Sequence, residues 1–134
     1  MIILDTGPLV ALLNANDAYH EWAREIFATL SPPFMTCEAV ITEASYLTSQ
    51  PHLLCKKLEA GVLQIGFNSQ EQAGPLKDML VRYAPRMDFA DACVVRMTEL
   101  FHTCKVLTLD RRDFSIYRRN RRHVIPLIAP QDGS

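Results

Sequence analysis

The sequence predicts an α/β fold, an α/β/α sandwich in which helices cover both faces of a short central parallel sheet. Two observations predict this layering. The strand-like runs "IILD", "FMT", "VLQIGF" and "KVLTL" are short and largely apolar, as strands buried on both faces are. Segments with helical periodicity separate them, the alternation that builds parallel sheets. No linker, repeat or low-complexity stretch divides the 134 residues, so one domain over residues 1–134 is expected.

Met1–Leu4 is the first strand, ending at Asp5-Thr6-Gly7-Pro8. Pro8 suits a first helical turn, where its missing N–H costs nothing, and "LVALLN" continues that helix. Asn14 to Asp17 breaks it. Residues 18–30 set Tyr19, Trp22, Ala23, Ile26, Phe27 and Leu30 at helical spacing, and "SPP" stops them. "FMT" is a strand, and 38–49 is a helix with Val40, Ile41, Ala44 and Leu47 on its apolar side. Pro51 opens another helix, to Glu59, which Gly61 ends. "VLQIGF" is a strand, 69–83 a helix and "APRM" a link. "DFADACVVRMTELFH" is a helix with Asp88 as candidate N-cap. "KVLTL" is a strand, a short helix starts near Arg111, and "HVIPLI" forms a last short strand.

Nearly half the residues are apolar, enough to bury a core. The net charge is −1, but it is unevenly spread. Residues 105–123 carry Lys105 and six arginines against Asp110 and Asp113, a net +5, whereas residues 1–104 carry a net −5. A basic edge on an acidic body suits a polyanion. Charge alone favours a solvated helix face. Cys37, Cys55, Cys93 and Cys104 form no CxxC pair, and the four histidines have no zinc spacing. Reduced thiols, no secretory signal and no apolar run of membrane length lead to the expectation of a soluble cytoplasmic protein.

Four acids hold the chemistry. Asp5 and Asp110 each close a strand, and ligands of open parallel sheets collect beyond the carboxyl ends of strands. Each also suits an N-cap. Glu43 has Ala39, Val40, Tyr46 and Leu47 as helical neighbours, an apolar setting that is costly for a carboxylate unless it is paired. Asp91 has Met87, Asp88, Val94 and Val95 around it. Asp88 with Asp91, and Asp110 with Asp113, have capping spacing, which accounts for Asp88 and Asp113 better than for Asp91. Brought together, such acids repel unless cations join them. Oxygen donors without His or Cys select hard ions, Mg²⁺ or Mn²⁺, and such a centre can hydrolyse a phosphodiester.

The ordered set "ILDTGPLVALLNANDAYHEWA", "TCEAVITEASYL", "DFADACVV" and "VLTLDRRDF" resembles the PIN-domain ribonucleases, especially the VapC-type toxins of toxin–antitoxin pairs. Residues 51–85 match only in their helix–strand–helix pattern. The resemblance implies that Asp5, Glu43, Asp91 and Asp110 are the four catalytic and metal-binding acids. It places the Thr6 and Thr108 hydroxyls near the metal and makes Asp113 a frequent additional acid. It also implies Mg²⁺ or Mn²⁺, endonucleolytic cleavage of RNA, a homodimer and a cognate antitoxin. On this reading Asp5, Asp91 and Asp110 bind the ion or ions, and Glu43 binds a second ion or orients the attacking water. Arg111, Arg112, Arg118, Arg119, Arg121 and Arg122 would bind RNA phosphates or an antitoxin's acidic tail. Competing readings are a PIN-type RNA-processing nuclease outside toxin systems, and a non-enzymatic RNA- or protein-binding module with structural acids. Aspartyl phosphotransfer fits poorly, because Asp5 is followed by Thr6 and Gly7 without a second Asp two residues on.

Overall fold

The computed structural model describes residues 1–131. In chain order the elements are β1 (Ile2–Leu4), α1 (Thr6–Leu13), α2 (His20–Thr29), β2 (Phe34–Thr36), α3 (Glu38–Thr48), α4 (Pro51–Glu59) and β3 (Leu63–Ile65). There follow α5 (Ala73–Arg82), α6 (Phe89–Leu100), β4 (Lys105–Leu107), α7 (Arg111–Phe114), β5 (Arg118–Arg119), β6 (His123–Val124) and β7 (Leu127–Ile128). Five strands make one parallel sheet in the order β3-β2-β1-β4-β7. The chain winds outward from β1 to β3, then returns to lay β4 on β1's other side.

The expected apolar strands form the middle of the core. Ile3, Leu4, Val106 and Leu107 are fully buried, so β1 and β4 have both faces covered. Helix α6 packs on both of them and on α3. Its Ala92, Cys93, Val94, Val95 and Met97 are all buried, which makes it the helix closest to the sheet's centre. Gly61 follows α4 at a φ of 76°, the left-handed conformation that ends a helix at little cost only for glycine. Cys37, Cys93 and Cys104 are buried free thiols, and Cys55 is exposed. Among the described residues, no helix is long and apolar enough to cross a membrane.

Four expected elements change. The helix expected over 69–83 begins only at Ala73, after turns over 69–72. The sheet ladder takes only Leu63–Ile65 of "VLQIGF" and Lys105–Leu107 of "KVLTL". "HVIPLI" divides in two around Pro126, which has no N–H to give a ladder. His123–Val124 pairs with Arg118–Arg119 as a separate antiparallel hairpin, while Leu127–Ile128 joins the main sheet beside β4. The basic run is therefore a single helical turn followed by a hairpin, and no continuous helix face exists there.

Candidate functional site

The sheet order reverses between β1 and β4, and a crevice opens at such a reversal beyond the strands' carboxyl ends. Asp5 and Asp110 both sit there. The Asp5 N–H donates to the Leu107 carbonyl at 3.0 Å, which fixes its place beside β4. Asp5 occupies the N-cap position of α1, yet its carboxylate makes no capping bond. It accepts instead from the Thr108 hydroxyl, Oγ1 to Oδ2 at 2.6 Å. That same Thr108 oxygen accepts the Asp110 N–H at 2.9 Å. Asp110 Oδ1 accepts the Asp113 N–H at 3.0 Å, so Asp110 caps α7 while it faces the crevice. Gly7 lets the first turn of α1 approach this loop. A Cβ at that position would stand 2.9 Å from Leu109 Cγ.

The third acid comes from α6. Asp88 and Asp91 form a reciprocal capping box: the Asp91 N–H donates to Asp88 Oδ1 at 2.8 Å, and the Asp88 N–H to Asp91 Oδ2 at 3.4 Å. Asp91 Oδ2 also accepts the Tyr117 hydroxyl at 2.9 Å. The fourth acid, Glu43, comes from α3. A single cleft of about 440 Å³ is lined by all four acids, Asp5, Glu43, Asp91 and Asp110. Asp88, Asp113 and Thr6 line it too. The setting of Glu43 differs from the expected apolar face. Its neighbours Tyr46 and Leu47 are 82% and 55% exposed, and Glu43 is half-buried on the rim. The cost of an enclosed carboxylate does not arise there.

Three of the acids carry raised pKa values. Burial pushes Asp5 up to about 6, against the pull of the Thr108 hydroxyl and the Thr6 amide, and the charges of Glu43 and Asp110 add to the rise. Burial and then the Asp88 carboxylate push Asp91 up to about 7. Asp110 is raised mainly by burial. Among the described residues, the cation lining the cleft is Arg86, whose Nη1 pairs with Asp113 Oδ1 at 2.6 Å. The Thr6 hydroxyl is buried beside Asp5 and has no hydrogen-bond partner among the described residues.

These observations fit a hard divalent cation. The donors are oxygens, the carboxylates repel one another, and a buried hydroxyl lacks a partner beside them. Among the described residues, no three His, Cys, Asp or Glu side chains already converge as a ligand cluster.

The six arginines separate into two groups. The Arg111 guanidinium donates to the Ala129 carbonyl at 2.9 Å and to Pro130 at 3.4 Å, strapping the chain that follows β7. Arg119 donates to the carbonyls of Thr98, Phe101 and His102, satisfying the C-terminal end of α6. Arg118 donates to the Ser115 carbonyl at 2.6 Å and to Tyr117 at 3.1 Å. Arg112, Arg121 and Arg122 are exposed.

Three residues of the site were not expected. Tyr117 has only its spacing from Phe114 as a sequence signal. Arg86 sits in the "APRM" link, and Asp17, at the break after the first helix, lines the cleft. Only folding brings them to the acids.

No protein-family model matches the chain. It is 24% identical over 124 residues to ribonuclease VapC26 of Mycobacterium tuberculosis, covering 87% of this chain and 92% of that protein. The crystal structure of VapC20, a sarcin-ricin loop cleaving toxin of Mycobacterium tuberculosis, superposes with a TM-score of 0.68 at 22% identity. That match covers 79% of this chain and 87% of VapC20. The chain has the VapC-type PIN fold. The resemblance read from the sequence motifs therefore recurs over most of the chain, in a curated relative and in a solved fold. In that fold the four motif acids of this chain come from the end of β1, from α3, from the start of α6 and from the loop after β4.

Proposed function

We propose that this VapC-like chain is a divalent-metal-dependent endoribonuclease and the toxin of a cytoplasmic toxin–antitoxin pair. The observation that carries the reading is the single cleft lined by Asp5, Glu43, Asp91 and Asp110 at the reversal of the sheet. Its likeness to a protein named as a ribonuclease, and to one described as an RNA-cleaving toxin, supports the same substrate class. Asp5, Asp91 and Asp110 would hold Mg²⁺ or Mn²⁺. When bound, such an ion would lower the pKa of a nearby water and offset charge on the phosphodiester oxygens. Thr108 holds Asp5 and the Asp110 backbone in register. Glu43, on the open rim, orients the attacking water. Water oxygen bonds to phosphorus, the P–O3′ bond breaks, and a proton goes to the departing O3′. The products carry a 5′-phosphate and a 3′-hydroxyl. Arg112, Arg121 and Arg122 grip the backbone phosphates. The resemblance also supports a homodimer and an antitoxin partner. Sequencing RNA ends after induced expression, with Asp5→Ala as control, tests the reading. New 5′-phosphate ends absent from the control are expected, and identical end profiles in the two strains would sink it.

A further inference from the structure

We propose that Tyr117 is a positioning residue that restricts Asp91 to one free oxygen, so that the cleft favours a small six-coordinate ion, Mg²⁺ or Mn²⁺, over Ca²⁺. The inference rests on the metal reading above and adds a device that selects the ion. Tyr117 is fully buried. Its ring is held edge-on by Phe114, with centroids 5.4 Å apart, and by Tyr83 at 5.2 Å. So packed, the phenol cannot swing away, and its hydroxyl must find an acceptor inside the protein. That acceptor is Asp91 Oδ2, at 2.9 Å. The Asp88 N–H points at the same oxygen from 3.4 Å. Two donors converge on Oδ2, and Oδ1 is the oxygen left for the cleft.

One oxygen per carboxylate is what Mg²⁺ accepts, because its octahedron is tight and it retains waters. Ca²⁺ takes six to eight ligands and gains from bidentate carboxylates. A carboxylate with one oxygen already engaged gives up that second contact. The Thr108 hydroxyl engages Asp5 Oδ2 in the same way.

The test is calorimetric titration of the full chain with Mn²⁺ and with Ca²⁺, comparing wild type, Tyr117→Phe and Asp91→Asn. Tyr117→Phe keeps the ring and removes only the donor. Its Mn²⁺ affinity should fall by about tenfold, the usual size of a lost outer-shell partner. Its Ca²⁺ affinity should fall less, or rise, so the preference for Mn²⁺ narrows. An unchanged Mn²⁺ to Ca²⁺ ratio in folded Tyr117→Phe, with Asp91→Asn still weakening Mn²⁺ binding, overturns the role of Tyr117 and leaves the metal reading standing. Wild type that binds neither ion overturns both. The wild type gives a second readout that needs no folded Phe variant. On adding Mn²⁺, the infrared carboxylate bands that Asp91→Asn removes should show the wide splitting of one-oxygen coordination. The narrow splitting of a bidentate carboxylate would overturn the proposal.

Discussion

Thr108 donates its hydroxyl to Asp5 Oδ2 at 2.6 Å and, through the same oxygen, accepts the backbone N–H of Asp110 at 2.9 Å. One buried side chain thus ties together two acids 105 positions apart in sequence. It also sets which Asp5 oxygen faces the cleft.

Thr108→Val keeps the shape of the side chain and removes both bonds. A hydrogen bond to a charged group contributes about 2 kcal/mol, so thermal denaturation should show a loss of that order. RNA cleavage should fall by about 10- to 100-fold, as for other lost supports of metal-binding side chains. Thr108→Ser should retain most of both. Equal activity in Val and Ser variants would mean that the tie does not serve the site.

The raised acids give the metal-free protein an inverted pH profile. Between the ordinary 3.8 and folded values of about 6 for Asp5 and about 7 for Asp91, the native state holds protons that the unfolded chain has released. Stability from these groups is therefore complete below pH ~4 and is lost as pH rises through 6 and 7. Asp5→Asn should stabilise the metal-free protein at pH 8 by on the order of 2 kcal/mol and change little near pH 4. Mn²⁺ should raise the melting temperature of wild type more at pH 8 than at pH 5. A melting temperature insensitive to Mn²⁺ at both values would contradict the cation site.

The arginines should separate by assay. Arg111→Ala loses its bonds to the Ala129 and Pro130 carbonyls and should lower the melting temperature, with little change in the salt dependence of RNA binding. Replacing Arg112, Arg121 and Arg122 together by Ala should leave the melting temperature nearly unchanged. It should reduce the slope of log affinity against log salt by about two for single-stranded RNA. The reverse pattern would return the phosphate contacts to the inward-bonded group.

Much of the architecture was legible because it is local. Apolar strands, Pro8 in a first turn, the Asp88–Asp91 capping spacing and Gly61 after α4 each follow from a few adjacent residues. The placement of Asp5 and Asp110 on one rim needed a single extra fact, that β1 and β4 are neighbours, and the sheet supplies it. What was not legible depends on distant partners. The uses of Arg111 and Arg119 are set by carbonyls 17 to 21 positions away in sequence. Tyr117 meets Asp91 across 26 positions, and no spacing rule reaches that far. The reasoning about Glu43 assumed that apolar neighbours are buried neighbours, whereas Tyr46 and Leu47 face outward.

The order of the strands also sets an order in time. β1 is made first, but the place at its side is taken by β4, more than a hundred positions later in the chain. Until β4 has left the ribosome, Asp5 has neither Thr108 to hold it nor Asp110 opposite. A nascent chain therefore carries its first acid without its partners, and a product cut short before Lys105 would lack both Thr108 and Asp110 however well its helices formed. Whatever chemistry this cleft performs waits for the chain through Asp110 to be made.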